Sequence, residues 1–138
     1  MLIKSLETII VLMLIITIFV LSINLINSFY SSYKEELLIL RRFYEGRVLI
    51  KELTEKAPFS NGICNLTEDF FNILSNENLL YNYTKSLGIV DDYNIEVYYL
   101  LNNSKILSVG ANPSSFIEMR RVCNFNNSLY LIVLRIWD

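Results

Sequence analysis

The 138-residue chain predicts an α+β fold: a long N-terminal helix, membrane-spanning in its first half, packed on a small antiparallel sheet of about four strands. Three observations carry this expectation. No charged residue occurs from Thr8 to Tyr33. No Gly or Pro occurs between Met1 and Glu45, and the first clear stop is Ala57-Pro58 with Asn61-Gly62 just after it. From Asn94 onward the apolar periodicity changes from helical to two.

The uncharged run is long enough to cross a bilayer, which takes roughly 20 apolar residues, and longer than the h-region of about 7 to 15 residues in a secretory leader. Its end, Ile23-Asn24-Leu25-Ile26-Asn27-Ser28, offers no small-residue cleavage site. The expectation is a retained anchor over residues 1–33 and an extracytoplasmic α+β domain over 34–138. Continued to about Lys56, the helix would be on the order of 75 Å long at about 1.5 Å per residue.

Beyond the anchor the helix carries two apolar stripes. Ile39, Phe43, Gly46, Ile50, Leu53 and Ala57 recur at spacings of three and four. Tyr33, Leu37, Leu40, Tyr44 and Val48 form a second row about a third of a turn away. Either both rows belong to one broad core face, or the second packs against helices of neighbouring subunits.

After the turn, Asn65-Leu66-Thr67-Glu68 has the form of a helix start, with Asn65 or Thr67 as cap and Glu68 and Asp69 near the positive end. A short helix over about Thr67 to Leu80 would bury Phe70, Phe71, Leu74 and Leu79. Ile95, Val97, Tyr99 and Leu101 then share one face of a first strand, Asn102-Asn103 turns the chain, and Lys105 to Val109 returns. Phe116 to Phe125, with Glu118 and Arg120 outward, and Leu129 to Trp137 complete an expected meander. The last strand is apolar on both faces, which suits a covered strand better than a solvated edge.

Which side of the membrane holds the domain is contested within the sequence. Lys4 precedes the anchor while Lys34, Arg41, Arg42 and Arg47 follow it, which by Lys/Arg count favours a cytoplasmic domain. Four N-x-Ser/Thr acceptors, Asn65, Asn82, Asn102 and Asn126, point the other way as glycosylation sites. So does the pair Cys64 and Cys123: a disulfide in an oxidising compartment is its natural use, two buried free thiols the alternative.

The net charge of −2 gives no basic footprint for nucleic acid, and none is expected as a partner. The chain has no His, no Gly-x-Ser-x-Gly, no phosphate-cradling glycine loop and no Cys-x-x-Cys, so neither an enzyme nor a bound metal or cofactor is expected. The acid pairs Glu35-Glu36, Glu68-Asp69 and Asp91-Asp92 read as solvated helix-start or turn charges. Tyr81, Tyr83, Tyr93, Tyr98 and Tyr99 could form an adhesive surface or ordinary rim packing.

A helix that is apolar in its first half and sheet-packed in its second, followed by a small sheet with a cysteine pair, resembles the type IV pilin-like family. Ser5-Leu6-Glu7 stands where archaeal members carry Ser-Leu-Glu at the mature start, immediately before the hydrophobic helix. The resemblance implies processing between Leu2 and Ile3, although Leu2 occupies the place of the usual Gly or Ala, Ile3 that of Gln, and Lys4 that of a neutral residue. It implies that Glu7 neutralises the N-terminal amine of an adjacent subunit in the membrane. It also implies assembly with other pilin-like subunits through the helix, in contact with membrane lipid, as a structural or minor component of a cell-surface pilus. The alternative is a single-pass, membrane-anchored extracytoplasmic binding or sensor module that does not polymerise.

Overall fold

The computed structural model describes residues 2–112 and 114–137, with side chains from Lys4 onward in the first helix. The element order is α1 (Leu2–Glu55), α2 (Glu68–Leu74), α3 (Glu77–Ser86), β1 (Asp92–Tyr99), β2 (Ser104–Val109), β3 (Ile117–Phe125) and β4 (Ser128–Trp137). The fold is α+β, and by internal contacts it comprises two compact units, Met1–Ile39 and Leu40–Asp138.

The first unit is helix alone. It contains the one segment among the described residues that is long and apolar enough to cross a membrane, and none of that window is buried by the rest of the chain. Thr8, Thr17 and Ser22 return their hydroxyls to the carbonyls of Lys4, Met13 and Ile18, each at 2.8 Å. These polar groups are thereby satisfied within the helix, which a hydrocarbon environment requires.

The second unit, the head, contains α1 from Leu40 onward and everything after it. Here α1 lies on the sheet through Glu45, Gly46, Leu49, Ile50 and Leu53. A side-chain carbon added at Gly46 would come within 3.0 Å of the Met119 side chain on β3, so this position stays small to let the helix approach the sheet. Gly46, Ile50 and Leu53 of the first expected stripe are buried, but Ile39, Phe43 and Ala57 are exposed. The buried face instead takes in Glu45 and Glu52, because both carboxylates find donors there.

Downstream of Ala57-Pro58 the expected single helix is two, and Leu79, expected to be buried, is exposed in α3 while Leu80 takes the core position. Asn76 stands in extended backbone and its side chain accepts from Leu79 N at 3.3 Å, capping α3. At the start of α2, Thr67 holds the cap position without a capping bond; its hydroxyl donates to Pro58 O instead.

The sheet is fully antiparallel with order β2-β1-β4-β3, so the expected meander is corrected: β4 inserts between β1 and β3 and takes a central place. Its apolar character on both faces matches that position. β1 starts at Asp92 and ends at Tyr99, leaving Leu101 in the turn, exposed. Asn126 and Asn127 both adopt positive φ (48° and 61°) in the two-residue β3–β4 connection, a conformation Asn tolerates better than most residues.

One sheet face, bearing Ile95, Val97, Ile132 and Leu134, joins Leu49, Leu53, Phe59, Phe70, Leu74 and Leu80 in a single core. Each such side chain contributes about 1.5–3 kcal/mol on burial. Phe59 stands edge-on to Phe70 and Tyr83, at 6.5 and 4.9 Å between ring centroids.

Candidate functional site

The largest unused feature of the chain is its exposed apolar helix surface. In the first unit Tyr33 and Leu37 of the second stripe are 60% and 47% exposed; in the head Leu40 and Tyr44 are 63% and 69% exposed. Val48 is half-buried and closes the row. Within the head, Leu40 and Tyr44 of the second stripe therefore lie off its core face. A water-facing helix would ordinarily be polar here, so the row is a surface that lacks its counterpart within the chain.

Glu7 lies in α1, exposed, one residue before the uncharged run. The side chains of Leu2 and Ile3, where processing is expected, lie outside the described residues.

Within the head, charges fasten its segment of α1 to the rest of the fold. Glu45 accepts from the backbone N–H groups of Val90 and Asp91 at 3.1 and 3.0 Å, although it is only 7% exposed. Arg41 reaches the Asp91 carboxylate through both Nε and Nη2 and lies 3.8 Å from Glu45. A turn later, Glu52 takes hydrogen bonds from Lys56 and from the Tyr83 hydroxyl, the latter at 3.1 Å. Burial, reinforced by that carboxylate, pushes the Tyr83 hydroxyl up to about 12. Within the head, its segment of α1 is thus held by directional bonds as well as by apolar packing.

The two cysteines, 59 positions apart in sequence, are brought together. The 60–66 loop pairs with the end of β3: Asn124 N donates to Cys64 O at 2.9 Å and Leu66 N to Asn124 O at 2.8 Å. Cys64 N also donates to Thr54 O at 2.7 Å, which ties the loop to α1. Both residues are free thiols, Cys123 buried and Cys64 half-buried, so the expected disulfide is not formed in this structure. Burial first, and then the neighbouring Cys64, pushes the Cys123 thiol well up.

The other sheet face is a charge network that sequence reasoning did not foresee. Glu96 on β1 is nearly buried and accepts from Tyr98 at 2.7 Å, from Arg135 at 2.8 Å and from Lys105. Arg135 also donates to Glu118 at 2.9 Å, and Arg120 donates to the other Glu118 oxygen at 2.6 Å. Burial alone would raise the Glu96 carboxyl, but the donors Lys105, Tyr98 and Arg135 outweigh it and hold it at about 2. Glu118 moves in the same direction: burial opposes ionisation and the two arginines prevail. The sequence held one signal, the alternation of Asn94, Glu96 and Tyr98 with Ile95 and Val97, but the cross-strand register that joins Glu96 to Arg135 is visible only in the fold.

All four acceptor asparagines, Asn65, Asn82, Asn102 and Asn126, are exposed. They differ in presentation. Asn102 accepts from Ser104 N and Oγ in a turn, whereas Asn82 lies within α3 and its partner Thr84 is buried, bonded to Tyr81 O and the Tyr93 hydroxyl. The tyrosines are mostly engaged in packing: Tyr99 stacks with Tyr130, and Tyr81 alone of the five is exposed. Of the acid pairs, Glu68-Asp69 occupies the first turn of α2 as expected, while Asp91 is bound by Arg41. No group of three metal-ligating side chains occurs among the described residues.

Comparison of the chain with protein-family models, with curated proteins and with solved structures gives no match in any of the three.

Proposed function

We propose that the chain is a structural subunit, pilin-like or minor-pilin-like, that is held in the membrane by its N-terminal helix and assembles with other such subunits through it. The observation that carries this reading is the apolar row that starts at Tyr33, the last residue of the uncharged run, and continues past its end through Leu37, Leu40 and Tyr44, exposed where lipid no longer explains it. A helix of this kind gains by packing against its like, and Glu7 at the head of the run offers a charge for register. An ionised carboxylate deep in a bilayer costs roughly 2.5–3.5 kcal/mol on insertion scales, which pairing with a neighbour's amine offsets. The head, outside the cell in this reading, keeps a core of its own and needs no catalytic group, cofactor or metal.

The competing reading, a non-polymerising binding or sensor module, is favoured by one observation: an open cleft of about 770 Å³ beside α3, lined in part by Tyr81, Tyr93 and Trp137. Mass spectrometry of chain purified from its native membrane or cell-surface fraction separates the two. The expected result is a mature start at Ile3, or just before Ser5, with the chain recovered in assemblies larger than a monomer. An intact Met1 on a chain that stays monomeric in mild detergent would leave the module reading in its place.

A further inference from the structure

Two oppositely charged surfaces on the head take no part in its core or in the apolar row. The cleft beside α3 carries Glu77, Asp91 and Asp92 against Lys85. Asp91 is held by Arg41 and Lys85 lies over the Tyr81 ring at 5.8 Å, whereas Glu77 and Asp92 make no ion pair among the described residues. The second surface is a groove of about 340 Å³ where α1 meets β3, with Arg47, Lys51, Arg120 and Arg121 against Glu55. Arg120 is bonded to Glu118 and Arg121 to Glu55, whereas Arg47 and Lys51 make no ion pair among the described residues. Arg47 and Lys51 stand four residues apart on one helix, a like-charge spacing that weakens a helix by itself and is relieved only by an anion.

The sheet order separates the two surfaces. The cleft gathers the start of β1 and the end of β2, and the groove lies on β3, the strand at the opposite edge. We infer that the basic groove of one copy docks on the acidic cleft of the next, with Arg47 and Lys51 meeting Glu77 and Asp92. A phosphate or a lipid headgroup would satisfy the groove but would leave the acids of the cleft, which outnumber its one open cation Lys85, unanswered; a second copy brings Arg47 and Lys51 to Glu77 and Asp92 and answers both surfaces. Because the two patches differ, the contact is head-to-tail, and repeated it gives a ring or an open helical array rather than a closed two-fold dimer. Exposed ion pairs are individually weak, so this contact sets register and encounter rate while the apolar helix supplies affinity. The inference rests on the assembly reading above and adds to it the faces that meet.

The test uses the full chain in neutral phosphatidylcholine vesicles, as an equal mixture of unlabelled and isotope-labelled protein. A carbodiimide then joins amines to carboxylates at contact distance. The expected product is Lys51 linked to Glu77 or Asp92 in peptides with one labelled and one unlabelled half. The R47E variant, which keeps the Lys51 amine as the reactive group, loses most of that product, by about five-fold or more, and an R47E/K51E chain mixed with an E77K/D92K chain recovers the oligomer yield that either lacks alone. All four positions are exposed, and unchanged circular dichroism confirms that the variants fold. Oligomers that persist without this link and ignore the reversals overturn the contact and leave helix-driven assembly standing. A chain that stays monomeric in the vesicles overturns both. Binding to anionic vesicles that R47E/K51E abolishes, with no link between copies, overturns the contact in favour of a lipid occupant.

Discussion

The stretches of α1 on either side of Leu40 draw on the same apolar side chains and meet opposite fates. Leu21 is 62% exposed and Leu49 is fully buried, yet nothing in either residue tells them apart. The difference lies in their neighbours. Before Tyr33 the apolar residues surround the helix on every side, so no single face can be covered by a domain. From Glu45 onward they narrow to a stripe flanked by Arg47, Lys51 and Lys56, and the sheet covers that stripe. Apolar content therefore reports that a surface will be hidden, and its angular distribution reports by what. The row from Tyr33 to Tyr44 lies between these regimes, too polar in its surroundings for lipid and too exposed for a core.

The sharpest way to break this contrast is to cut between the regimes. Residues 40–138 expressed alone are expected to remain in the aqueous fraction with the far-UV circular dichroism of an α+β domain, whereas the full chain stays with membranes after alkaline carbonate washing. An insoluble, unstructured 40–138 fragment would show that the head does not own its core.

Next in size are paired truncations. Phe70→Ala removes a fully buried ring and should destabilise the head by about 3–5 kcal/mol in urea titration. Phe19→Ala, 65% exposed on the anchor, should leave the unfolding of the same head within about 0.5 kcal/mol. Equal effects would erase the distinction between the two stretches.

The thiol pair offers a third test, internal to the head. Oxidation should join Cys64 to Cys123 and stabilise the head by about 2–4 kcal/mol through the loop it closes, read as a reductant-dependent shift in thermal unfolding. Cys64→Ser should abolish the shift. Oxidised protein whose mass shows no loss of two hydrogens would mean that the thiols stay free.

The smallest expected effect concerns pH. Glu96 is held at about 2, below the range near 4.3 usual for an unfolded chain. Its contribution, about 2–3 kcal/mol, is complete above that range and is lost as the pH falls toward 2. Acid titration of the head should show this slope, and Glu96→Gln should flatten it while lowering stability at neutral pH. An unchanged slope in the variant would assign acid sensitivity to other carboxylates.

Much of this molecule could be read from residue order because its local signals are strong and agree. The long apolar helix, the stop at Ala57-Pro58, the four strands and the first-turn acids of α2 each follow from neighbours a few residues apart. What escaped depends on distant partners. Glu45 and Glu52 are buried because Val90, Asp91 and Tyr83 supply donors, and no hydropathy pattern selects a carboxylate for a core face. Ser75-Asn76-Glu77 did contain the break between α2 and α3, hidden by an apolar spacing that runs across it. The strand order turned on where β4 inserts, and only its two apolar faces hinted at that. For the row proposed for assembly, residue spacing pointed to Tyr33, Leu37, Leu40 and Tyr44, and within the head the fold added that Leu40 and Tyr44 are exposed.

The central position of β4 also bears on the order of events as the chain is made. β3 has no strand partner except β4, and β1 lacks one of its two until β4 arrives. Residues 128–137 are the last of the described strands to leave the ribosome, so the sheet cannot close while they are still inside it. The hydrophobic helix emerges roughly a hundred residues earlier and is available to the bilayer throughout that interval. In the proposed reading, membrane capture would precede completion of the head, and any passage of the head across the bilayer would have an open, threadable chain to work with.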